Sequence, residues 1–78
     1  MDRLQAFLGT FAKLAISNGF VFKAVAKNNT TLYLEISDVN NTKKAHGEIE
    51  HTSIMNLDND IYDMAEMMYR DMEFKFNR

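Results

Sequence analysis

Cysteine, proline and tryptophan are absent from this 78-residue chain, and glycine occurs only at Gly9, Gly19 and Gly47. Without thiols there are no disulfide staples, no zinc held on thiolates and no thiol catalysis. The lack fits a reducing compartment, and a cytoplasmic location is the expectation. There is no proline-rich linker, repeat or low-complexity stretch. No apolar run approaches the ~18 residues of a membrane span. Met1 to Lys13 mixes Asp2, Arg3, Gln5 and Lys13 with apolar residues, and so lacks the unbroken apolar core of a signal peptide. The triplets Asn28-Asn29-Thr30, Asn29-Thr30-Thr31 and Asn40-Asn41-Thr42 are therefore read as turn chemistry rather than glycan acceptors.

A chain of this length forms one domain, residues 1–78. Such a domain buries only about 60% of its unfolded surface, so its expected stability is a few kcal/mol. The net charge is −2 and is unevenly spread. Residues 1–27 carry Arg3, Lys13, Lys23 and Lys27 against Asp2, a net of +3. Residues 28–57 carry Lys43 and Lys44 against Glu35, Asp38, Glu48 and Glu50, a net of −2. Residues 58–78 carry Arg70, Lys75 and Arg78 against Asp58, Asp60, Asp63, Glu66, Asp71 and Glu73, a net of −3. A basic front and an acidic back speak of partners rather than of fold.

Apolar residues recur at three- and four-residue steps through Leu4, Phe7, Leu8, Phe11, Leu14 and Ala15, which puts them on one helical face. Asp2 with Gln5 three later resembles a capping box, and Asn18-Gly19 supplies the stop. Gly9 falls beside the apolar stripe, where it would let another backbone approach closely. Phe20 to Lys27 alternates as a strand, with Phe20, Phe22, Ala24 and Ala26 on one side. Asn28-Asn29 signals a tight turn through asparagine's tolerance of positive φ. Thr31 to Val39 forms the second strand, with Leu32, Leu34 and Ile36 inward and Thr31, Tyr33, Glu35 and Ser37 outward. Asn40 to Lys43 turns the chain again. Lys44 to Thr52 reads as a third, charged strand with Ala45, Gly47 and Ile49 on its inner face. A last helix runs from about Asp60 to Phe74, capped by Asp58, Asn59 or Asp60, with Ile61, Met64, Ala65, Met68 and Met72 as its buried stripe. The fold class is α+β in the order α-β-β-β-α, a three-stranded antiparallel sheet with both helices packed on one face. Phe7, Phe11, Phe22, Leu34, Ile49, Ile61 and Met68 should share one core.

The residues offer little to catalysis. His46 and His51 are five apart on the expected third strand and point to opposite faces, so they do not share a metal. Asp58-Asn59-Asp60-Ile61-Tyr62-Asp63 has the look of a calcium loop, yet the sixth and twelfth positions are Asp63 and Tyr69 rather than glycine and glutamate. Ser17, Ser37 and Ser53 sit in no nucleophile motif. Glu48 and Glu50 share a strand face roughly 7 Å apart by strand rise, but on a flat, wet surface that shifts no pKa. No phosphate-cradling glycine loop is present. The expectation is a non-enzymatic protein with no cofactor and no metal.

Binding is the better expectation. In the last helix Tyr62, Glu66, Tyr69 and Glu73 share one side at helical spacing, aromatic and acidic together. Met67 lies off the buried stripe, and Phe74 and Phe76 sit near the terminus with little left to bury them. Tyrosine and methionine are enriched in interface cores. Tyr62, Asp63, Glu66, Met67, Tyr69, Asp71, Glu73 and Phe76 are accordingly the candidate partner-binding residues. The acids would attract a basic protein surface, including one that normally holds nucleic acid. A homodimer packing its tail aromatics across a two-fold axis is an alternative. So is a nucleic-acid-binding module that uses Lys23, Lys27, Lys43 and Lys44.

The order α-β-β-β-α resembles that of the double-stranded-RNA-binding domain over most of the chain. That family grips phosphates with lysines at the start of its last helix, and here Asp58, Asp60 and Asp63 stand there, so its function is not carried over. In style, a small proline-free and cysteine-free domain with asparagine-rich turns and an acidic helix resembles phage-encoded inhibitors of host machinery, such as anti-CRISPR proteins. With an acidic overall balance, duplex RNA and DNA titrated at about 50 and 200 mM salt should show weak binding or none. Sub-micromolar affinity with a steep salt slope would put the sheet lysines first.

Overall fold

The computed structural model describes residues 2–78. The element order is α1 (Arg3–Ser17), β1 (Val21–Ala26), β2 (Thr31–Ser37), β3 (Lys44–Glu50), α2 (His51–Met55) and α3 (Ile61–Phe76). The sheet is antiparallel in the order β1-β2-β3, with Lys23 opposite Glu35 and Glu35 opposite His46. The helices α1 and α3 lie side by side on one face, α1 over β1 and α3 over β3. Both start at the same end of the domain, since Arg3 reaches Asn59 and Phe20 meets Phe76.

The helix ends follow side-chain chemistry. Asp2 accepts from the Leu4 N–H at 3.0 Å and Asp60 from the Tyr62 and Asp63 N–H groups at 3.0 and 3.2 Å. These bonds satisfy donors that a helix start leaves open. After α1, Gly19 adopts φ +85°. Its N–H and that of Phe20 donate back to Ile16 and Ala15, closing the helix in a Schellman turn. Gln5, expected to complete a capping box, is exposed on the outer side of α1 instead. Phe20 belongs to this turn rather than to β1, and Ala26 at the other end of β1 is exposed.

The turns correct two expectations. Asn28 does not use positive φ. Its Oδ1 accepts from the Thr30 N–H at 2.8 Å and from the Thr30 hydroxyl at 2.9 Å, while Asn41 is the residue at φ 58°. The second strand stops at Ser37, because the Asp38 carboxylate turns back to accept from the Thr42 hydroxyl and from the Thr42 and Lys43 N–H groups. Those bonds, the Thr42 hydroxyl first, hold the Asp38 carboxyl below its ordinary pKa. Val39, expected in the strand, is left exposed. Ser37 was expected to face out but is 4% exposed, covered by its cross-strand neighbours Val21 and Lys44.

The third strand also ends early, at Glu50. The His51 N–H donates to the Thr30 carbonyl at 2.9 Å, and the chain then bends into α2. His51 thus opens a helix rather than facing away from His46 on one strand. The short helix α2 drives Ile54 into the core, where it is fully buried. The connection to α3 is tied down from within. The Arg3 guanidinium donates to the carbonyls of Ile54 at 2.6 Å, Asn56 at 2.9 Å and Asn59 at 2.8 Å. The Asn59 side-chain amide adds a bond to the Ser53 carbonyl at 2.9 Å.

Phe7, Phe11, Leu34 and Ile61 are buried as the spacing predicts, and Phe22, Ile49 and Met68 pack half-buried around them. Two glycines exchange roles. A side chain on Gly9 would meet nothing, so no backbone comes close there. At Gly47 an added Cβ would lie 3.0 Å from Met68 Cε and 3.3 Å from Met72 Sδ, so this is where α3 approaches the sheet most tightly.

Phe11 is the ring shared by three elements. It stacks near Phe7 in α1, lies 5.2 Å from Phe22 in β1, and meets the edge of Tyr69 in α3 at 5.8 Å. Phe11→Ala should therefore cost roughly 3–5 kcal/mol, the range for emptying a buried aromatic site. In urea unfolding followed by circular dichroism the variant should be largely unfolded in buffer. An unchanged midpoint would show that this face of α1 is not the core.

Candidate functional site

The side of α3 that carries Tyr62, Glu66, Tyr69 and Glu73 does not remain one surface. It turns toward α1, and the neighbouring helix covers half of it. Tyr69 is buried at 3% exposure between Phe11 and Phe20, with ring centroids 5.8 and 6.4 Å away. Its hydroxyl donates to Glu73 Oε2 at 2.9 Å, which occupies the Glu73 carboxylate. Burial first, then that bond and the Glu73 charge, push the Tyr69 phenol up to about 12. Tyr69 is thus a core residue and not a partner anchor. Phe76 also turns inward. Its ring meets Phe20 edge-on at 4.8 Å and lies 4.9 Å beneath the Lys43 ammonium, so it closes the end of the core.

The other candidates remain on the surface. Tyr62 is 55% exposed, Met67 71%, and Phe74, set aside at first with Phe76, 67%. At about 100° per residue, Asp63, Met67, Arg70 and Phe74 fall along the ridge of α3 opposite its buried stripe. On α1 the corresponding ridge carries Gly9, Lys13 and the exposed Ile16. Between the ridges runs an open groove of about 290 Å³ lined by Gln5, Ala6, Gly9, Thr10, Lys13 and Tyr62. Ile16 was missed because it follows the apolar stripe of α1 in sequence and reads as its continuation. Its position seven residues after Gly9, on the solvent side, was the available signal.

The acids are less naked than composition implies. Glu66 pairs with Arg70 at 3.0 Å and Asp71 with Lys75 at 3.2 Å, both one turn apart on exposed helix surface. Such pairs contribute little to stability. Among the described residues Asp63 makes no ion pair, and neither does Lys13 on α1. The outer face of the helix layer is therefore a mosaic: apolar side chains at Ile16, Tyr62, Met67 and Phe74, negative charge on the α3 side, and Lys13 on the α1 side.

The open face of the sheet is different in kind. Tyr33 and His46 stack with centroids 5.6 Å apart, and the Tyr33 hydroxyl donates to Glu35 at 2.8 Å, which raises its pKa. Lys27 pairs with Glu48 at 2.7 Å and Lys23 lies opposite Glu35. Carboxylates interleave the lysines here, which opposes a phosphate backbone. Among the described residues no group of His, Asp and Glu is arranged to hold a metal ion. No helix among them is long and apolar enough to cross a membrane.

Fold and surface together define a small α+β domain with a mosaic helix face and a charge-balanced sheet face. No protein family, curated protein or solved structure matches this chain.

The buried phenol has a measurable consequence. Tyr69 ionises at about 12 in the folded protein against 10.0 when free. Its contribution to stability is complete below pH 10 and is lost as pH rises through the window between those values, because the unfolded chain then releases the proton more readily. Thermal melts from about pH 9 to 11.5 should fall more steeply for the natural protein than for Tyr69→Phe. Parallel slopes would mean that the phenol is reached by water.

Proposed function

We propose that this chain is a non-catalytic protein-binding module, an inhibitor or adaptor of the kind phages direct against host defence, anti-CRISPR proteins included. On this reading it acts in the cytoplasm and recognises a basic protein surface through the outer face of its helix layer. The observation that carries the proposal is the exposure of Met67 and Phe74. They lie seven residues apart on one line of α3, at 71% and 67%, with Asp63 at its head. Large apolar side chains on a helix ridge have no packing role in the chain itself. Apolar anchors bounded by charge are the usual anatomy of an interface, where the anchors supply affinity and the acids speed encounter and exclude wrong partners.

The rim acids and the anchors are separable from the fold, which makes the test clean. Asp63→Lys, Glu66→Lys and Met67→Ala are combined in one variant. Glu73 is left alone because it holds the Tyr69 hydroxyl. The control variant carries Lys23→Glu, Lys27→Glu and Lys44→Glu on the sheet. Both should keep native circular dichroism. With a partner captured from host cells and then purified, the helix variant should raise Kd about tenfold or more, and the control by less than about threefold. Loss confined to the sheet variant would move the binding surface to the opposite face.

A further inference from the structure

We propose that a second copy of this chain occupies the outer face of the helix layer, forming a two-fold dimer across the groove between α1 and α3. The inference rests on the reading of that face as an interaction surface and names one occupant for it. Three observations converge. Gly9 sits on the solvent ridge of α1 with open space where its side chain would be. A glycine inside a helix costs about 1 kcal/mol relative to alanine, and nothing in the single chain offsets it. Tyr62, across the groove, stands 55% exposed as a knob of matching kind. The two sides of the groove also bear opposite charge, Lys13 on α1 against Asp63 and Glu66 on α3.

A surface that is positive on one side of a line and negative on the other is complementary to itself under a two-fold axis along that line. Because α1 and α3 run in the same direction, such an axis lays α1 of each copy on α3 of the other without changing its level. Tyr62 of the second copy then comes over the bare backbone at Gly9. Ile16, which is level with the end of α3, meets Phe74 of the second copy. Helical side chains lean toward the N-terminus, so Lys13 reaches back toward Glu66 of the second copy. The exposed apolar side chains of the layer are covered in one step, and every contact occurs twice.

Sedimentation velocity of the full chain from about 1 µM to 1 mM should show a concentration-dependent dimer. Lys13→Glu and Glu66→Lys should each weaken it about tenfold or more, since each reversal acts at both symmetric sites. The double variant Lys13→Glu, Glu66→Lys should return to within about threefold of the natural protein, which no loss of folding would do. Gly9→Gln places a side chain where Tyr62 of the second copy belongs. It should abolish the dimer while melting no lower than the natural protein, because its own site is open. A monomer throughout the range overturns the proposal, as does a dimer indifferent to all four variants. A monomer whose purified partner still needs Asp63, Glu66 and Met67 would reject the second copy and retain the protein-binding reading. A monomer indifferent to those residues in partner binding would reject both.

Discussion

The packing of Phe11 is the contact on which the rest of the molecule depends. Its ring is the point where α1, β1 and α3 meet, with Phe7, Phe22 and Tyr69 around it. A three-stranded sheet has only one face to bury, and one helix is too narrow to cover it, so two helices must lie side by side and seal the seam between them. Phe11 and Tyr69 form that seam. The requirement explains why Tyr69 leaves the surface, why its hydroxyl must find Glu73, and why its phenol resists ionisation.

The second constraint is the return from the sheet to α3. The last helix must begin at the end of the domain where α1 begins, and the chain makes that turn through α2 and a short loop. Exposed loop carbonyls would otherwise leave this segment free to move. The fork of Arg3 takes three of them at once, from the first turn of α1. A guanidinium suits the task because its donors are fixed in one plane. On the opposite flank Gly47 admits Met68 and Met72 to the sheet surface. Arg3 and Gly47 fix the rotation and height of α3, and with them which residues reach its outer ridge.

That outer ridge is where structure passes into function. Rotation of α3 by the core sends Met67 and Phe74 into solvent and draws Tyr69 and Phe76 out of it. The acids are spread over the surface that results, half of them neutralised along the helix, so the face is a mosaic rather than a uniform field. Mosaic faces favour specific protein contacts, in which register matters, over the sequence-independent attraction of a single-sign field. The sheet's other face, with lysines and glutamates in adjoining positions, balances itself.

Local chemistry was legible without the fold. The caps at Asp2 and Asp60, the glycine stop at Gly19, the alternation of Leu32, Leu34 and Ile36, and the period of α1 each act within a few residues, and each element formed where they indicated. Their ends were less legible. Asp38 and His51 terminate strands by bonds to residues that sequence spacing does not rank above continued pairing. For the candidate site, Tyr62, Asp63, Glu66, Met67 and Asp71 lie on the surface as their helical positions imply, while Tyr69 and Phe76 do not. The sequence determined the apolar stripe of each helix, because a 3.6-residue period is a property of one helix alone. Only tertiary structure decided how wide that stripe becomes. A helix lying beside another on a sheet buries one flank as well as its underside, and which flank depends on where the partner helix lies.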